Sequence, residues 1–174
     1  MYRGKNPSAL RSQQWLTEAL LQLMEEKPYR KISIKEITEK CDLARQTFYQ
    51  LFDSKEEIIE YYLDILFEEY LAEMKKIDGI SIAELTRLYL VFFEKHENFV
   101  LLLIKNDLEF CLNKKFRACL DIILNEVAPN RNISNYAKAF ISSGLVGLLV
   151  YYSEDRSLSV DELFARMILK NPLE

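Results

Sequence analysis

Arg45, Gln46, Thr47, Tyr49, Gln50 and Lys55 lie close together in the stretch ARQTFYQLFDSK. Their chemistry is hydrogen bonding to nucleic acid. An Arg fork matches the major-groove edge of guanine, and a Gln amide matches adenine. Thr and Tyr hydroxyls and a Lys ammonium can bond phosphate oxygens, which positions a protein without reading sequence. The rest of the chain offers little to reaction chemistry. Cys41, Cys111 and Cys119 form an odd set without CxxC spacing, and His96 is the single His, set in the charged run Glu94–Glu97. There is no Ser/His/Asp set, metal cluster or phosphate-binding glycine loop. An enzyme, a metal site and a cofactor are therefore not expected. The thiols are expected to be free and to pack as small apolar groups, and His96 to be solvated.

Base edges are read by an element narrow enough to enter the major groove, so Arg45 and its neighbours need a helix held firmly from behind. The flanking sequence supplies one. Pro7 and Ser8 open a first helix that runs to about Glu26, with Leu16, Ala19, Leu20, Leu23 and Met24 on its inner stripe. Lys27-Pro28 ends it, because the residue before proline avoids helical geometry. Ser33 and Glu36 form a capping box for a second, short helix with Ile34, Ile37 and Cys41 inside. Asp42-Leu43-Ala44 is the turn. Arg45 to Phe52 is a third helix whose Phe48 and Phe52 face inward, and Ser54-x-x-Glu57 is a second capping box opening a fourth. Two short helices joined by three residues form a helix-turn-helix.

Past this region the same signals predict further helices. Asp78-Gly79 is a break, and Ser81-x-x-Glu84 caps a helix through Leu85, Leu88, Tyr89, Phe92 and Phe93. A short apolar segment, Asn98 to Ile104, leads to a long amphipathic helix from Asp107 to Val127, ended by Pro129-Asn130. Ser134 to Ser153 is another helix, and Ser159-x-x-Glu162 caps a last one. The reading is an all-α chain of about nine helices. A three-helix module at 1–54 is joined to a helical bundle at 55–174.

Composition agrees. With 174 residues, 49 % of them apolar or aromatic, and only four Gly and four Pro, the chain can bury a real core in long helices. The net charge of −4 divides unevenly: residues 1–55 carry ten Lys/Arg against seven Asp/Glu, a balance of +3, and the remainder balances at −7. A mildly basic head on an acidic body suits contact with DNA at one end. The longest apolar stretch, Ala139 to Tyr152, is too short for a bilayer, which takes about 20 residues. The N-terminal residues lack the apolar core of a signal peptide. A soluble cytoplasmic protein, without a membrane partner, is expected.

The stretch ISIKEITEKCDLARQTFYQLFDSKEEIIEYYL, Ile32 to Leu63, resembles the TetR family of bacterial transcription regulators. It has the capped second helix, the Phe48-Tyr49 pair, Phe52-x-x-Lys55 and the Ser-Lys-Glu-Glu opening of the fourth helix. With the first helix, the resemblance covers residues 8 to 66. It implies phosphate contacts from Ser33, Tyr49 and Lys55, with Arg45, Gln46, Thr47 and Gln50 reading or flanking bases. Three positions depart from the family pattern: Asp42 replaces the usual Gly of the turn, Ala44 the usual Ser or Thr cap, and Leu51 a common His. The body matches in outline only, and the resemblance implies that it binds a small molecule and dimerises.

In Ser134–Ser153, Ala137, Ile141, Gly144, Leu145 and Leu148 form one apolar face, and Tyr136, Phe140, Ser143, Gly147 and Tyr151 another. A helix apolar on two faces must be covered on both. The expected interface of a homodimer is therefore Phe140, Ser143, Gly144, Gly147 and Tyr151, with Phe164 and Met167 of the last helix. Candidate lining for a small-molecule effector is Tyr89, Phe92, Phe93, Phe110, Phe116 and Tyr136, although aromatics at helical spacing also make plain core. The function expected is a ligand-responsive repressor that binds double-stranded DNA as a homodimer on a palindromic operator. The alternative is a co-regulator or activator subunit that acts through a partner protein.

Overall fold

The computed structural model describes residues 1–77, 82–127, 133–155 and 157–169, with the backbone alone at 82–83, 126–127 and 166–169. Among them are nine α-helices and no strand. α1 (Pro7–Glu26) is capped by Asn6, whose side chain accepts from the Ser8 N–H at 3.0 Å. Leu16, Ala19, Leu20, Leu23 and Met24 are buried, as their spacing predicts. Lys27 is extended, and a 3₁₀ turn (Tyr29–Lys31) connects to α2 (Ile34–Lys40). α3 (Arg45–Leu51) follows, then α4 (Lys55–Met74), the long helix that leaves the head and enters the body.

The body holds α5 (Ile82–Lys95), α6 (Glu97–Lys105), α7 (Glu109–Val127), α8 (Asn135–Glu154) and α9 (Val160–Leu169). α4 packs on α1 at one end and on α5 and α7 further along. α8 packs against α5, α6 and α7, α9 lies on α5, and α6 reaches back to α1. The core is continuous: Leu16, Ile37, Phe48 and Phe52 of the head join Phe67, Tyr70, Tyr89, Phe93, Phe116 and Val146 of the body in one buried cluster. The expected boundary at 54/55 falls on the first residue of α4, but apolar packing crosses it.

The capping signals fare unequally. Ser33 and Glu36 form their box, and so do Ser159 and Glu162. Ser54 occupies the cap position of α4 but makes no side-chain cap. Glu57 reaches instead to the Asp53 N–H at 2.9 Å, so the expected reciprocal pair does not close. The Ser81–Glu84 box and the breaks at Asp78-Gly79 and Pro129-Asn130 lie outside the described residues. The segment Asn98–Ile104 is the middle of α6, with Phe99, Val100, Leu102 and Leu103 buried. His96 sits before it, half-buried, its ring 4.7 Å from that of Phe92, rather than free in solvent.

Cys111 and Cys119 are buried, Cys41 is half-buried, and all three are free thiols. Burial pushes the Cys111 thiol up to about 11, which suits a packing role over a reactive one. Among the described residues no helix is long and apolar enough to cross a membrane.

Candidate nucleic-acid interface

The site begins with a turn. α2 ends at Lys40, and Asp42 adopts a left-handed conformation with φ of 53°. The Asp42 N–H donates to the Glu39 carbonyl at 3.3 Å and the Leu43 N–H to the Thr38 carbonyl at 2.9 Å. This pair of bonds is a Schellman closure, which satisfies carbonyls that the helix end leaves free. Asp tolerates the left-handed region better than most residues, so the turn forms without glycine. Ala44 then opens α3 with backbone alone: its carbonyl accepts from Thr47 and Phe48 N–H groups, and no side chain caps the helix.

α3 is divided cleanly. Phe48 and Leu51 are buried, while Arg45, Gln46, Tyr49 and Gln50 are exposed and Thr47 is half-buried. The Phe48 ring lies 6.0 Å from Phe52, which lies 5.7 Å from Tyr61 of α4. This line of rings fixes the helix from behind. Tyr49 stands 59 % exposed, its ring braced edge-on with its centre 5.3 Å from that of Phe48.

Ser33 is exposed at the N-terminus of α2. Its Oγ accepts from the Glu36 N–H at 3.3 Å and donates to the Glu36 carboxylate at 2.8 Å. Glu36 also accepts from the Ser33 N–H and pairs with Lys27. The Lys27 ammonium, helped by these bonds, holds the Glu36 carboxyl down to about 2.

Lys55 is placed differently from expectation. Its ammonium donates to the Tyr29 carbonyl at 2.7 Å and the Ile32 carbonyl at 2.9 Å, and lies 4.2 Å from the centre of the Tyr29 ring. Burial lowers its pKa. An ammonium has three N–H donors; two serve the fold, which leaves one for a phosphate. The same 3₁₀ turn is held from the other side. Asn106, at the end of α6, accepts from the Tyr29 N–H at 2.7 Å. Sequence reasoning missed this contact. The Asn106-Asp107 pair after an apolar helix signals a helix end, but nothing in it names a partner 77 residues away.

In the body, Tyr89, Phe92, Phe93 and Phe116 are fully buried, with Tyr89 4.8 Å from Phe93 and 5.0 Å from Phe116. They lie together as expected, but their faces are occupied by one another. The Tyr89 hydroxyl is buried with no hydrogen-bond partner among the described residues. Phe110 and Tyr136, expected beside them, are exposed instead, Tyr136 by 90 %. Both belong to the outer surface of α7 and α8. α8 turns Ser142, Val146, Leu149 and Tyr152 inward. Tyr136, Phe140, Ser143, Gly144, Gly147 and Tyr151 face outward, Phe140 by 81 %. Gly144 therefore lies on the outer face, and apart from adjacent residues and the helix's own backbone no heavy atom of the described residues lies within 4 Å of a Cβ built at Gly144 or Gly147. Phe164 is half-buried, and the side chain of Met167 lies outside the described residues.

Residues 16–62, which span α1 to the first turns of α4, match the model of the family described as bacterial regulatory proteins, tetR family. No curated protein sequence matches the chain. Among solved structures, the crystal structure of Lin0861 from Listeria innocua has a similar fold, with a TM-score of 0.83 at 16 % identity over 96 % of this chain and 92 % of that one. A second similar structure, the dihydroxyacetone kinase operon activator DhaS, has a TM-score of 0.57 at 20 % identity over 90 % of this chain and 92 % of its own. At such identities these two bear on fold alone. Residues 16–62 therefore carry the N-terminal region of the tetR family of bacterial regulatory proteins, and the whole chain has an all-helical fold similar to that of the two solved structures.

Proposed function

We propose that this regulator binds an inverted-repeat operator as a homodimer and acts as a ligand-responsive repressor. The division of α3 carries the DNA-reading half of the proposal. Its apolar face is fully engaged by the core, and Arg45, Gln46, Tyr49 and Gln50 stand outward on a helix that fits the major groove. Arg45 and Gln46, at its N-terminus, reach base edges, and Thr47 and Gln50 flank them. Tyr49 bonds phosphate, with the remaining Lys55 donor beside it, and Ser33 joins them by turning its hydroxyl from the Glu36 carboxylate to the phosphate. The head is residues 1–54 and the body 55–174.

Dimerisation rests on α8. A stripe of Phe140, Ser143, Gly144, Gly147 and Tyr151 runs along one solvent-facing side, with α9 and its Phe164 and Met167 assigned to the same interface. Bare glycine surface allows close helix approach, and a two-fold axis makes such a patch self-complementary. Two α3 helices would then stand about one DNA turn, roughly 34 Å, apart. A small apolar effector would enter by parting Tyr89, Phe92, Phe93 and Phe116, and would act only through unequal affinity for the two forms.

A second reading is a co-regulator or activator subunit working through another protein. The uncapped start of α3 at Ala44 and the filled aromatic cluster favour it.

Selection of bound duplexes from a random pool at stated salt separates the two. The first reading expects an inverted repeat, and about tenfold weaker binding to every sequence on Tyr49→Ala. It fails if the pool yields no repeat and the Tyr49→Ala protein binds as well as wild type. Operator binding that appears only with a stable hetero-partner establishes the second.

A further inference from the structure

The 3₁₀ turn at Tyr29–Lys31 is a short link with several backbone groups to satisfy. It follows Pro28 and leads within four residues to Ser33, which caps α2. From the head side, Lys55 holds the carbonyls of Tyr29 and Ile32. From the body side, Asn106 accepts the Tyr29 N–H at 2.7 Å. Asn106 is itself fixed: its Nδ2 donates to the Leu102 carbonyl at 2.8 Å. Behind it, Asp107 at φ of 57° and the Leu108 N–H, bonded to the Leu103 carbonyl at 2.8 Å, close the end of α6. The amide therefore points at Tyr29 from a rigid helix end. The Tyr29 ring is buried beneath the Lys55 ammonium, so the turn cannot slide without breaking both holds.

We infer that Asn106, a residue of the body, is a positioning residue for DNA binding. Its side-chain oxygen fixes Tyr29, and Tyr29 fixes the place of the Ser33 cap and of α2. Without that acceptor, the partly buried Tyr29 N–H must find water or remain unpaired, and the turn gains freedom. The phosphate-bonding groups at the start of α2 then lose their fixed height above the duplex. The inference rests on the DNA-binding reading above, but the hook itself can be measured without DNA.

The two functions of the Asn106 amide can be separated. Asn106→Ala loses the acceptor for Tyr29 and the donor to Leu102. Asn106→Asp keeps the acceptor and loses the donor. Ile123→Val, in the buried face of α7, provides a variant with mild loss of stability and an intact hook. The measurements are amide hydrogen exchange over residues 27–36 in the free protein, and affinity for a labelled mixed-sequence duplex at low salt, where phosphate contacts dominate. Asn106→Ala should speed exchange over 27–36 and weaken the duplex about tenfold. Asn106→Asp sets a carboxylate oxygen against the Leu102 carbonyl but keeps the acceptor for Tyr29, so its exchange over 27–36 should stay slower than that of Asn106→Ala. Ile123→Val should change neither. The inference is overturned if Asn106→Ala leaves exchange over 27–36 unchanged, if Asn106→Asp behaves like Ala, or if Ile123→Val weakens the duplex equally. If wild-type protein binds no duplex, the proposed function falls, and with it the DNA role of Asn106. Wild-type binding with unaltered exchange in Asn106→Ala overturns the inference alone.

Discussion

Phe48 and Tyr49 are neighbours in sequence with opposite tasks, and a helix separates them. One turns into the core and the other stands in solvent, braced edge-on by the first. Tyr89 shows the reverse arrangement, a polar atom carried deep into an aromatic cluster. Its ring meets Tyr70, Phe93 and Phe116, and its hydroxyl finds no partner among the described residues. Burial raises its pKa. A buried hydroxyl that has lost water without gaining a bond is a cost, so Tyr89→Phe should leave stability unchanged or raise it by up to about 1 kcal/mol. Chemical denaturation with a constant slope would check this. A loss larger than about 1 kcal/mol would mean that the hydroxyl is paired after all. Glu36 makes a prediction in pH. Its carboxyl is held to about 2, chiefly by Lys27, against an ordinary value of 4.5. The folded pKa is the lower one, so the stabilisation is complete above about pH 4.5 and is lost as pH falls toward 2. The difference in melting temperature between wild type and Glu36→Gln should therefore shrink across that window; a constant difference would show that the pairing with Lys27 does not matter.

The helices differ in how they begin, and the difference is chemical. α2 and α8 have serine caps whose side chains accept from the helix, whereas α3 opens on Ala44 with none. The recognition helix is short, and its own capping contributes little. Its position comes from the Schellman turn before it and the Phe48–Phe52–Tyr61 line behind it. Ala44→Ser should supply the missing cap and add about 1 kcal/mol of stability. Thermal melting measures it, and no rise would mean that the N-terminus of α3 is already satisfied by backbone and water. The fourth helix shows the limit of a local signal. Ser54-x-x-Glu57 has capping-box spacing, but Glu57 bonds Asp53 instead. A motif of four residues cannot specify which of two adjacent N–H groups its carboxylate takes; the entry angle of the chain decides that.

At the scale of the molecule, one core runs from α1 to α9, so the head is not an independent bead on a string. α4 begins at the expected boundary, packs back on α1 of the head and is tied to α7 by Lys114–Glu60 and Lys115–Asp64 pairs, each at 2.5 Å. These pairs are partly or largely exposed and contribute modestly at physiological salt. The outer face of α8 carries Tyr136 and Phe140, the most exposed aromatic groups among the described residues. Phe140→Asp should place a charge in the proposed two-fold interface, shift the protein toward monomer in sedimentation velocity, and weaken operator binding while the isolated fold persists. A monomeric wild type, or a dimer unaffected by the change, would remove α8 from the interface.

The sequence alone determined the helices of the head, the capping box at Ser33, the inward faces of α1 and α3, and the outward row Arg45, Gln46, Tyr49 and Gln50. These follow from spacing and local bonding within a few residues, so a linear reading reaches them. It also brought Tyr89, Phe92, Phe93 and Phe116 together, but not Phe110 or Tyr136, since an aromatic on a helix can face the core or solvent with the same spacing. Gly144 was ambiguous for that reason. Lys55 and Asn106 were beyond reach. Whether an ammonium also holds two backbone carbonyls, and whether an amide at the end of α6 meets Tyr29, depends on how distant helices pack. Only the tertiary structure, which buries the Tyr29 ring under Lys55 and brings α6 against α1, decided it.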